Sequence, residues 1–231
     1  LESFKNLRKG GMIAVGIADD DELLAVRLVE NDDDQIMILT KNGQCIRFEQ
    51  SQVRIMGRPA RGNKGIDLTG NDAVADVVLV PREGDYKLLT VTQRAYGKRT
   101  AFEEYPTQNR NGKGVISMKT PDESGQVVGA VQVTEDDQLM LVTDTGRIIR
   151  IGVAEVSTYS RNTRGVRMMR LQPNEIIVDM ARIEEADEEE YVDDDDAPRN
   201  AIPHLLRFVL DRVRLEQKPR PERREACDEG H

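Results

Sequence analysis

Short apolar runs, each followed by a polar turn and another apolar run, recur through most of the chain. A run such as residues 36–40 is nearly continuous, short and rich in β-branched residues, which favours a strand covered on both faces. Asn42-Gly43 and Thr145-Gly146 predict hairpin turns, because Asn and Gly accept the positive φ that such turns need. A helical period is not found before residue 200, so the pattern predicts an all-β body.

The pattern is a repeat of roughly fifty residues. The aligned stretches read QIMILTKNGQCIRF at residues 35–48, KLLTVTQRAYGKRTAF at 87–102 and QLMLVTDTGRIIRI at 138–151. Two positions stay in register at intervals of 52 and 51 residues, and they hold Thr40, Thr92 and Thr143, and Arg47, Arg99 and Arg150. Each unit opens with another β-like run, at residues 23–29, 74–80 and 127–133. A unit of this length with about four strands is typical of a propeller blade, although the WD and kelch signatures are absent.

We therefore expect about three and a half blades of a propeller-like fold, arranged as an incomplete ring. The expected parts are the end of a preceding blade at residues 1–21, blades at 22–71, 72–125 and 126–175, and the first strand of the next blade at 176–183. An acidic block follows, and its like charges and scarce apolar residues predict a disordered linker at 184–201. Residues 202–217 are predicted to form an amphipathic helix, and 218–231 a polar tail. The helix is predicted because one helical face collects the apolar residues Ile202, Leu205, Leu206, Val209, Leu210 and Val213.

The net charge of −9 is distributed unevenly. Residues 1–183 carry 25 Lys and Arg against 26 Asp and Glu, whereas residues 184–231 carry 8 against 16. The acidity therefore lies almost entirely in the C-terminal segment. Because the body is close to neutral, its positive charge can still be concentrated on one edge, and nucleic acid is not excluded as a partner.

Other features of the sequence narrow the class of protein. No apolar run approaches the length that a membrane-spanning helix needs, and Cys45 and Cys227 lie in segments that do not suggest a disulfide. We expect a cytoplasmic protein without a membrane partner or a small-molecule substrate. No Walker loop, metal-ligand cluster or nucleophile–base arrangement is found, so we expect no catalytic site, no metal site and no cofactor in this chain.

The strongest functional signal is a basic loop that occurs once in each unit. It reads RGNKG at residues 61–65, RNGKG at 110–114 and RNTRG at 161–165. Two bases at a loop tip can bind phosphate oxygens without reading base edges, and a regular spacing suits the regular phosphates of bent duplex DNA. The predicted DNA-binding residues of the loops are Arg61, Lys64, Arg110, Lys113, Arg161 and Arg164. Further bases predicted to widen the contact are Arg47, Arg54, Arg58, Lys98, Arg99 and Arg150.

Three segments resemble the C-terminal, DNA-wrapping domain of the DNA gyrase A protein. They are YGKRTAFEEYP at residues 96–106, RNGKGVISMK at 110–119 and VVGAVQV at Val127–Val133, within a likeness that runs from about residue 3 to residue 183. The resemblance implies a β-pinwheel of six blades, in which neighbouring blades exchange a strand. It also implies a basic rim that wraps double-stranded DNA and supports negative supercoiling by an ATP-dependent type IIA topoisomerase.

The resemblance carries further expectations about partners and location. It implies that the rest of the gyrase A protein and the gyrase B protein are partners, that ATP and Mg are bound elsewhere in the whole enzyme, and that the protein is bacterial and nucleoid-associated. The family's hallmark loop, Gln-Arg-Arg-Gly-Gly-Lys-Gly, has no match in this sequence. Because family wrapping depends strongly on that loop, wrapping by this chain is expected to be incomplete.

Two other functions stay open at this point. One is the equivalent domain of topoisomerase IV, which is a shorter version of the same module. The other is a protein-interaction propeller, in which the basic loops are ordinary solvated turns. The observation that separates this last interpretation from DNA binding is whether the bases gather on one edge or scatter over the surface. An enzyme in its own right is disfavoured, because no catalytic constellation is visible.

Overall fold

The computed structural model describes residues 13–183, apart from residues 20, 30, 32, 58 and 59. The predicted linker at 184–201, the helix at 202–217 and the tail at 218–231 lie outside the described residues. The described part belongs to one compact unit, Leu1–Glu185. Its strands are β1 (Gln35–Thr40), β2 (Gln44–Glu49), β3 (Val74–Val80), β4 (Lys87–Thr92), β5 (Tyr96–Ala101), β6 (Val115–Ile116), β7 (Val127–Val133), β8 (Gln138–Thr143), β9 (Ile148–Gly152), β10 (Val166–Arg167) and β11 (Ile177–Ile183). Short 3-10 turns follow β2, β5 and β9 at Gln50–Gln52, Phe102–Glu104 and Val153–Glu155.

The predicted hairpins are confirmed, with β1 paired to β2, β4 to β5 and β8 to β9, each pair antiparallel. Gly43 and Gly146 both adopt a φ of +81° at the turns predicted for them. The repeated threonine is also explained. The Thr40 side chain accepts a hydrogen bond from the backbone N–H of Gln44 at 3.1 Å, and the corresponding bonds recur in the other two hairpins. The threonine thus satisfies a backbone donor inside each turn.

Each sheet combines a hairpin from one repeat with strands from the next repeat. The three sheets have the orders β3-β1-β2-β6, β7-β4-β5-β10 and β11-β8-β9, and we number them sheets 1, 2 and 3. In sheet 1 the opening strand β3 pairs with β1, while β6, which comes from much later in the chain, pairs with β2. The sheets are therefore offset from the sequence repeats, and neighbouring blades exchange strands as the family resemblance implies.

The prediction of a strand at residues 23–29 is wrong, because this segment is described without strand pairing. The equivalent strands β3, β7 and β11 each pair with the hairpin of the preceding repeat. Among the described residues no hairpin precedes residue 23 and no strand pairs with this segment, and Val26 is 75% exposed. Apolar alternation identifies a segment able to pair, but it does not supply the second strand.

The core lies between successive sheets. Leu88 on β4 packs in a cluster with Met37 and Leu39 of sheet 1, whereas its neighbour Leu89 packs with Leu139 of sheet 3. Successive strand residues point to opposite faces, so β4 is buried on both sides by the two adjacent blades. This explains the continuous apolar runs and shows why the blades stack as a propeller. No helix in the described part of the chain is long and apolar enough to cross a membrane.

Candidate nucleic-acid interface

The three basic loops are residues 61–65, 110–114 and 161–165, which we call loops 1, 2 and 3. Loops 1 and 2 are joined by backbone hydrogen bonds. The N–H of Asn111 donates to the carbonyl of Gly65 at 2.7 Å, and the N–H of Asp67 donates to the carbonyl of Gly112 at 2.9 Å. Two segments nearly fifty residues apart in sequence therefore lie side by side.

Loop 3 lies against the segment that follows loop 2. The backbone N–H of Lys119 donates to the carbonyl of Thr163 at 3.0 Å, and the guanidinium of Arg161 donates to the carbonyl of Ile116 at 3.0 Å. The three loops are thus neighbours in chain order. We call the row that these three loops form the exposed edge.

The last glycine of loops 2 and 3 brings each loop against the preceding blade. Gly114 and Gly165 both have a φ of +75°, which L side chains rarely adopt. A Cβ at Gly114 would lie 2.1 Å from the carbonyl oxygen of Cys45, and one at Gly165 would lie 2.4 Å from that of Gly97. The glycine in the motif is therefore required for the short strands β6 and β10 to dock on the sheet next to them.

The second base of each motif is at the exposed tip. Lys64 pairs with Asp67 at 2.5 Å, and Arg164 pairs with Glu123 at 2.8 Å. The pKa of the Asp67 carboxyl is lowered, first by its hydrogen bond from Lys64 and also by the charge of Lys113. Exposed ion pairs of this kind contribute little to stability, and a phosphate can replace the carboxylate.

The first arginine of loops 2 and 3 has a different role. The guanidinium of Arg110 donates to the backbone carbonyls of Gln52 and Lys64, and thereby connects loop 2 to loop 1. Arg161 makes the corresponding connection between loop 3 and the segment after loop 2. A guanidinium has five N–H donors, so each arginine retains donors for a phosphate while it holds its loop.

The structure corrects the prediction that Lys98 and Arg99 widen the contact surface. Lys98 is 0% exposed and Arg99 is 6% exposed, so neither side chain reaches solvent. Arg99 donates to the carbonyl of Val156 at 2.5 Å and to the carboxylate of Glu135 at 2.8 Å. These bases hold the following repeat against the preceding blade. The pKa of Glu135 is lowered by its hydrogen bond from Lys87 and by Arg99.

Arg47 is the counterpart of Arg99 one repeat earlier and makes equivalent contacts. It is partly buried, and its guanidinium donates to the carbonyl of Phe102 at 2.6 Å and to the side chain of Gln35 at 2.5 Å. Desolvation by burial lowers its pKa. Most of its donors are therefore used inside the fold. Its role resembles that of Arg99, and it contributes little to the exposed edge.

The remaining predicted bases are Arg54, Arg61 and Arg150, which are exposed, and Arg58, which lies outside the described residues. Arg150 donates to the side chain of Gln138 within its own hairpin, whereas Arg110 and Arg161 each donate to the segment next to their loop. The exposed edge is thus made of the three loops, with Arg54 close to loop 1 through a hydrogen bond from Asn63 to its carbonyl at 3.1 Å.

One exposed base beside loop 3 was missed by the sequence reasoning. Arg167 lies 5.3 Å from the ring centroid of Tyr96, and Arg164 lies 4.8 Å from the same ring, so the ring packs against two guanidinium groups. Arg167 also donates to the tyrosine hydroxyl at 3.2 Å. The corresponding positions of the other loops hold Asp67 and Ile116, so the repeat contains no signal for a base here.

A family model described as the DNA gyrase C-terminal domain, a beta-propeller, matches residues 1–30, 34–81, 86–134 and 137–184. The DNA gyrase A protein of Escherichia coli (strain K12) is 44% identical over 193 residues, which cover 84% of this chain and 22% of that protein. The DNA gyrase A protein of Pseudomonas aeruginosa is 37% identical over 198 residues, which cover 86% of this chain and 21% of that protein. The chain thus spans less than a quarter of the length of these relatives.

Solved structures agree with the family model. The structure of a DNA gyrase A C-terminal domain superposes with a TM-score of 0.68 at 29% identity, covering 75% of this chain and 58% of the other. The C-terminal domain of a DNA topoisomerase IV superposes with a TM-score of 0.73 at 23% identity, covering 78% of this chain and 56% of the other. This likeness shows the shared fold. The matched segments make up most of the chain and contain all three sheets and all three loops, so the chain belongs to the family of DNA gyrase C-terminal domains with a β-propeller fold.

Proposed function

We propose that this chain is a non-catalytic module that binds and wraps double-stranded DNA as part of a bacterial DNA gyrase. Loops 1, 2 and 3 contact the phosphate backbone, with Lys64, Lys113 and Arg164 as the bases at the exposed tips. Arg110 and Arg161 hold loops 2 and 3 and add donors, and the exposed Arg61 adds donors in loop 1. Arg54 and Arg167 extend the contact at its two ends.

The observation that carries this proposal is the set of hydrogen bonds that joins loop 1 to loop 2, and loop 3 to the segment that follows loop 2. Phosphates along a duplex are regularly spaced, and a row of equivalent basic loops can meet them in succession. Lysine and arginine side chains at loop tips can bind phosphate oxygens without reading base edges, so the expected binding is independent of sequence and depends steeply on salt. Bending of the DNA along this edge depends on the deformability of the duplex.

The role in the whole enzyme follows from the relatives. The matched proteins are DNA gyrase A proteins. We infer that this module acts within an ATP-dependent type IIA topoisomerase that introduces negative supercoils, in the bacterial cytoplasm and on the nucleoid. Its partners are then the rest of the gyrase A protein and the gyrase B protein, and ATP and Mg are bound elsewhere in the assembly. The chemistry of strand breakage is supplied outside this chain.

The test is a titration of the chain against a fluorescent random-sequence duplex at several salt concentrations, followed by anisotropy. Lys64→Glu, Lys113→Glu and Arg164→Glu should each weaken binding and reduce the salt slope by about one, as expected for the loss of one phosphate contact. Arg82→Glu is the charge-matched control. Arg82 is exposed and donates to Glu49 and to the carbonyl of Asp33, in a turn that belongs to none of the three loops. Equal losses in all four variants would mean that net charge, rather than the loops, determines binding.

The near balance of charge in residues 1–183 favours a second candidate, a propeller that binds another protein. Two of the three tip bases are also paired with carboxylates. If the parent chain showed no DNA binding at low salt, this candidate would replace the first. The fold, which topoisomerase IV shares, is compatible with either function.

A further inference from the structure

Lys98 is an unusual residue to find inside a β-sheet. It lies on β5 and is 0% exposed, although lysine is almost never fully buried without partners. An ammonium group taken out of water is costly unless its three N–H donors are bound. The surroundings of the Lys98 ammonium therefore show why the lysine is kept there.

All three acceptors of the Lys98 ammonium lie in or directly before loop 3. Its Nζ donates to the carbonyl of Ser160 at 2.8 Å, to the carbonyl of Arg161 at 2.5 Å and to the hydroxyl of Thr163 at 3.3 Å. The Thr163 hydroxyl in turn donates to the Ser160 carbonyl at 2.9 Å. One buried charge thus fixes the backbone on both sides of Arg161.

Loop 2 is held in another way. The residue equivalent to Lys98 in sheet 1 is Ile46, whose Cδ1 lies 3.5 Å from where a Cβ on Gly112 would be. Loop 2 is instead held from outside, by the Arg110 side chain and by the hydrogen bond from Asn111 to Gly65. The two loops have similar sequences, but only loop 3 is supported by a buried ammonium among the described residues.

We propose that Lys98 is a positioning residue for DNA binding, which holds loop 3 in the conformation that presents Arg161 and Arg164 to phosphate. The inference rests on the proposed function and names the group that prepares one of its three contacts. A loop ordered before binding loses less conformational entropy when the DNA arrives, so its bases contribute more to affinity. Without the ammonium, the Ser160 and Arg161 carbonyls would each keep a donor from Thr163, but loop 3 would lose the hydrogen bonds that tie these carbonyls to β5.

The charge of Lys98 gives this support a pH dependence. Burial lowers the pKa of Lys98 to about 8, while the nearby Glu104 favours its charged form and Arg161 opposes it. Burial raises the pKa of the Cys45 thiol to about 12, so this neighbour stays neutral around pH 8. When Lys98 loses its proton, charge-assisted hydrogen bonds to loop 3 become weaker neutral ones. The contribution of loop 3 to DNA affinity should therefore fall between pH 7 and pH 9.

The test is a double-mutant cycle on DNA affinity in the full chain, at low salt and pH 7. Lys98→Met should weaken binding by about tenfold, the scale of one lost charge-assisted hydrogen bond. Arg164→Ala should weaken binding severalfold in the parent and hardly at all in the Lys98→Met background. Lys113→Ala, in loop 2, should weaken DNA binding by the same factor in the parent and in the Lys98→Met background. Ile46→Met, at the equivalent buried position of sheet 1, should leave affinity unchanged.

The same cycle at pH 9 measures a pH dependence of DNA affinity that is not expected if the role of Lys98 is purely structural. The parent should lose the Arg164 contribution between pH 7 and pH 9, and Lys98→Met should show no such change. Thermal melting in the same buffers establishes that each variant is folded. If Lys98→Met does not fold, Thr163→Val removes one of the same contacts from the loop side and should reproduce the coupling.

The possible outcomes separate the two proposals. Equal costs of Arg164→Ala with and without Lys98 overturn the role of Lys98 and leave the proposed function intact. Absence of DNA binding by the parent chain overturns the proposed function, and the inference about Lys98 fails with it. Coupling between Lys98 and Arg164 in loop 3, with the cost of Lys113→Ala in loop 2 unaffected, supports both.

Discussion

Replacing Arg99 with methionine should loosen the contact between sheet 2 and the repeat that packs on it. The guanidinium of Arg99 donates to the carbonyls of Val156 and Ala154, at 2.5 and 3.5 Å, at the end of the 3-10 turn Val153–Glu155. Methionine keeps most of the apolar stem of the side chain but removes every donor. The substitution therefore tests the hydrogen bonds rather than the packing.

The size of the effect follows from the contacts. A hydrogen bond from a charged donor contributes about 1.5–3 kcal/mol, and the buried Val156 carbonyl loses its donor from Arg99. The bond to Ala154 is long, and the ion pair with Glu135 adds little because that carboxylate is 54% exposed. We expect the free energy of unfolding to fall by about 2–3 kcal/mol.

Urea denaturation followed by circular dichroism measures this change. For a chain of this size the midpoint should fall by about 1 M, given a typical urea slope of about 2 kcal/mol per M. Arg150→Met is the matched control, since Arg150 occupies the same repeat position but is exposed and donates to Gln138. Its stability should stay within about 0.5 kcal/mol of the parent. Similar losses in both variants would refute the idea that Arg99 acts as a clamp between repeats.

Three further predictions concern the glycines, an acid and the buried lysine. Gly146→Ala should lower the free energy of unfolding by about 1–2 kcal/mol for its positive φ alone, because nothing lies within 4 Å of its Cβ position. Gly165→Ala should be distinctly more destabilising in thermal melts, because its Cβ would overlap the Gly97 carbonyl. Equal losses of stability in the two variants would contradict this close approach. The pKa of Glu175 is lowered, chiefly by the hydrogen bond from the backbone N–H of Gln172. The stability that this carboxylate contributes is therefore present above pH 4.5 and lost as the pH falls through the lowered pKa. The melting temperature of Glu175→Gln should accordingly depend less on acid pH than that of the parent. The pKa of Lys98 is lowered from 10.5 to about 8, so the unfolded chain binds more protons than the folded chain between these two pH values. The free energy of unfolding should therefore rise with pH across this window in the parent but not in Lys98→Met. A parallel pH dependence of the two proteins in urea titrations would rule this out.

The hairpins and the loop motif could be predicted because their signals are local. A turn residue with positive φ, an apolar run and a basic loop each act within a few residues of sequence. The repeat then indicated the blade size, and the family resemblance implied the strand exchange. The strand predicted at residues 23–29 was wrong because strand formation is not a local property. A strand exists only where a second strand pairs with it.

The roles of the repeated bases could not be read from the sequence. Arg47, Arg99 and Arg150 occupy one repeat position, yet the first two donate to carbonyls of the following repeat while Arg150 donates to its own hairpin. Lys98 precedes Arg99 in the chain and points to the other side of β5, into loop 3. Burial of these groups depends on which segments dock on the hairpin from about fifty residues away.

The sequence by itself determined the all-β fold, the three hairpins with their turns, the basic loop in each repeat and the family. Those properties depend on short-range patterning, which survives in the order of the residues. Only the tertiary structure decided that the three loops are neighbours and that loop 3 rests on a buried ammonium. It also decided that two in-register arginines are structural. The physical reason is that these properties come from strand exchange between blades, which joins segments far apart in the chain and sets the burial of each charge.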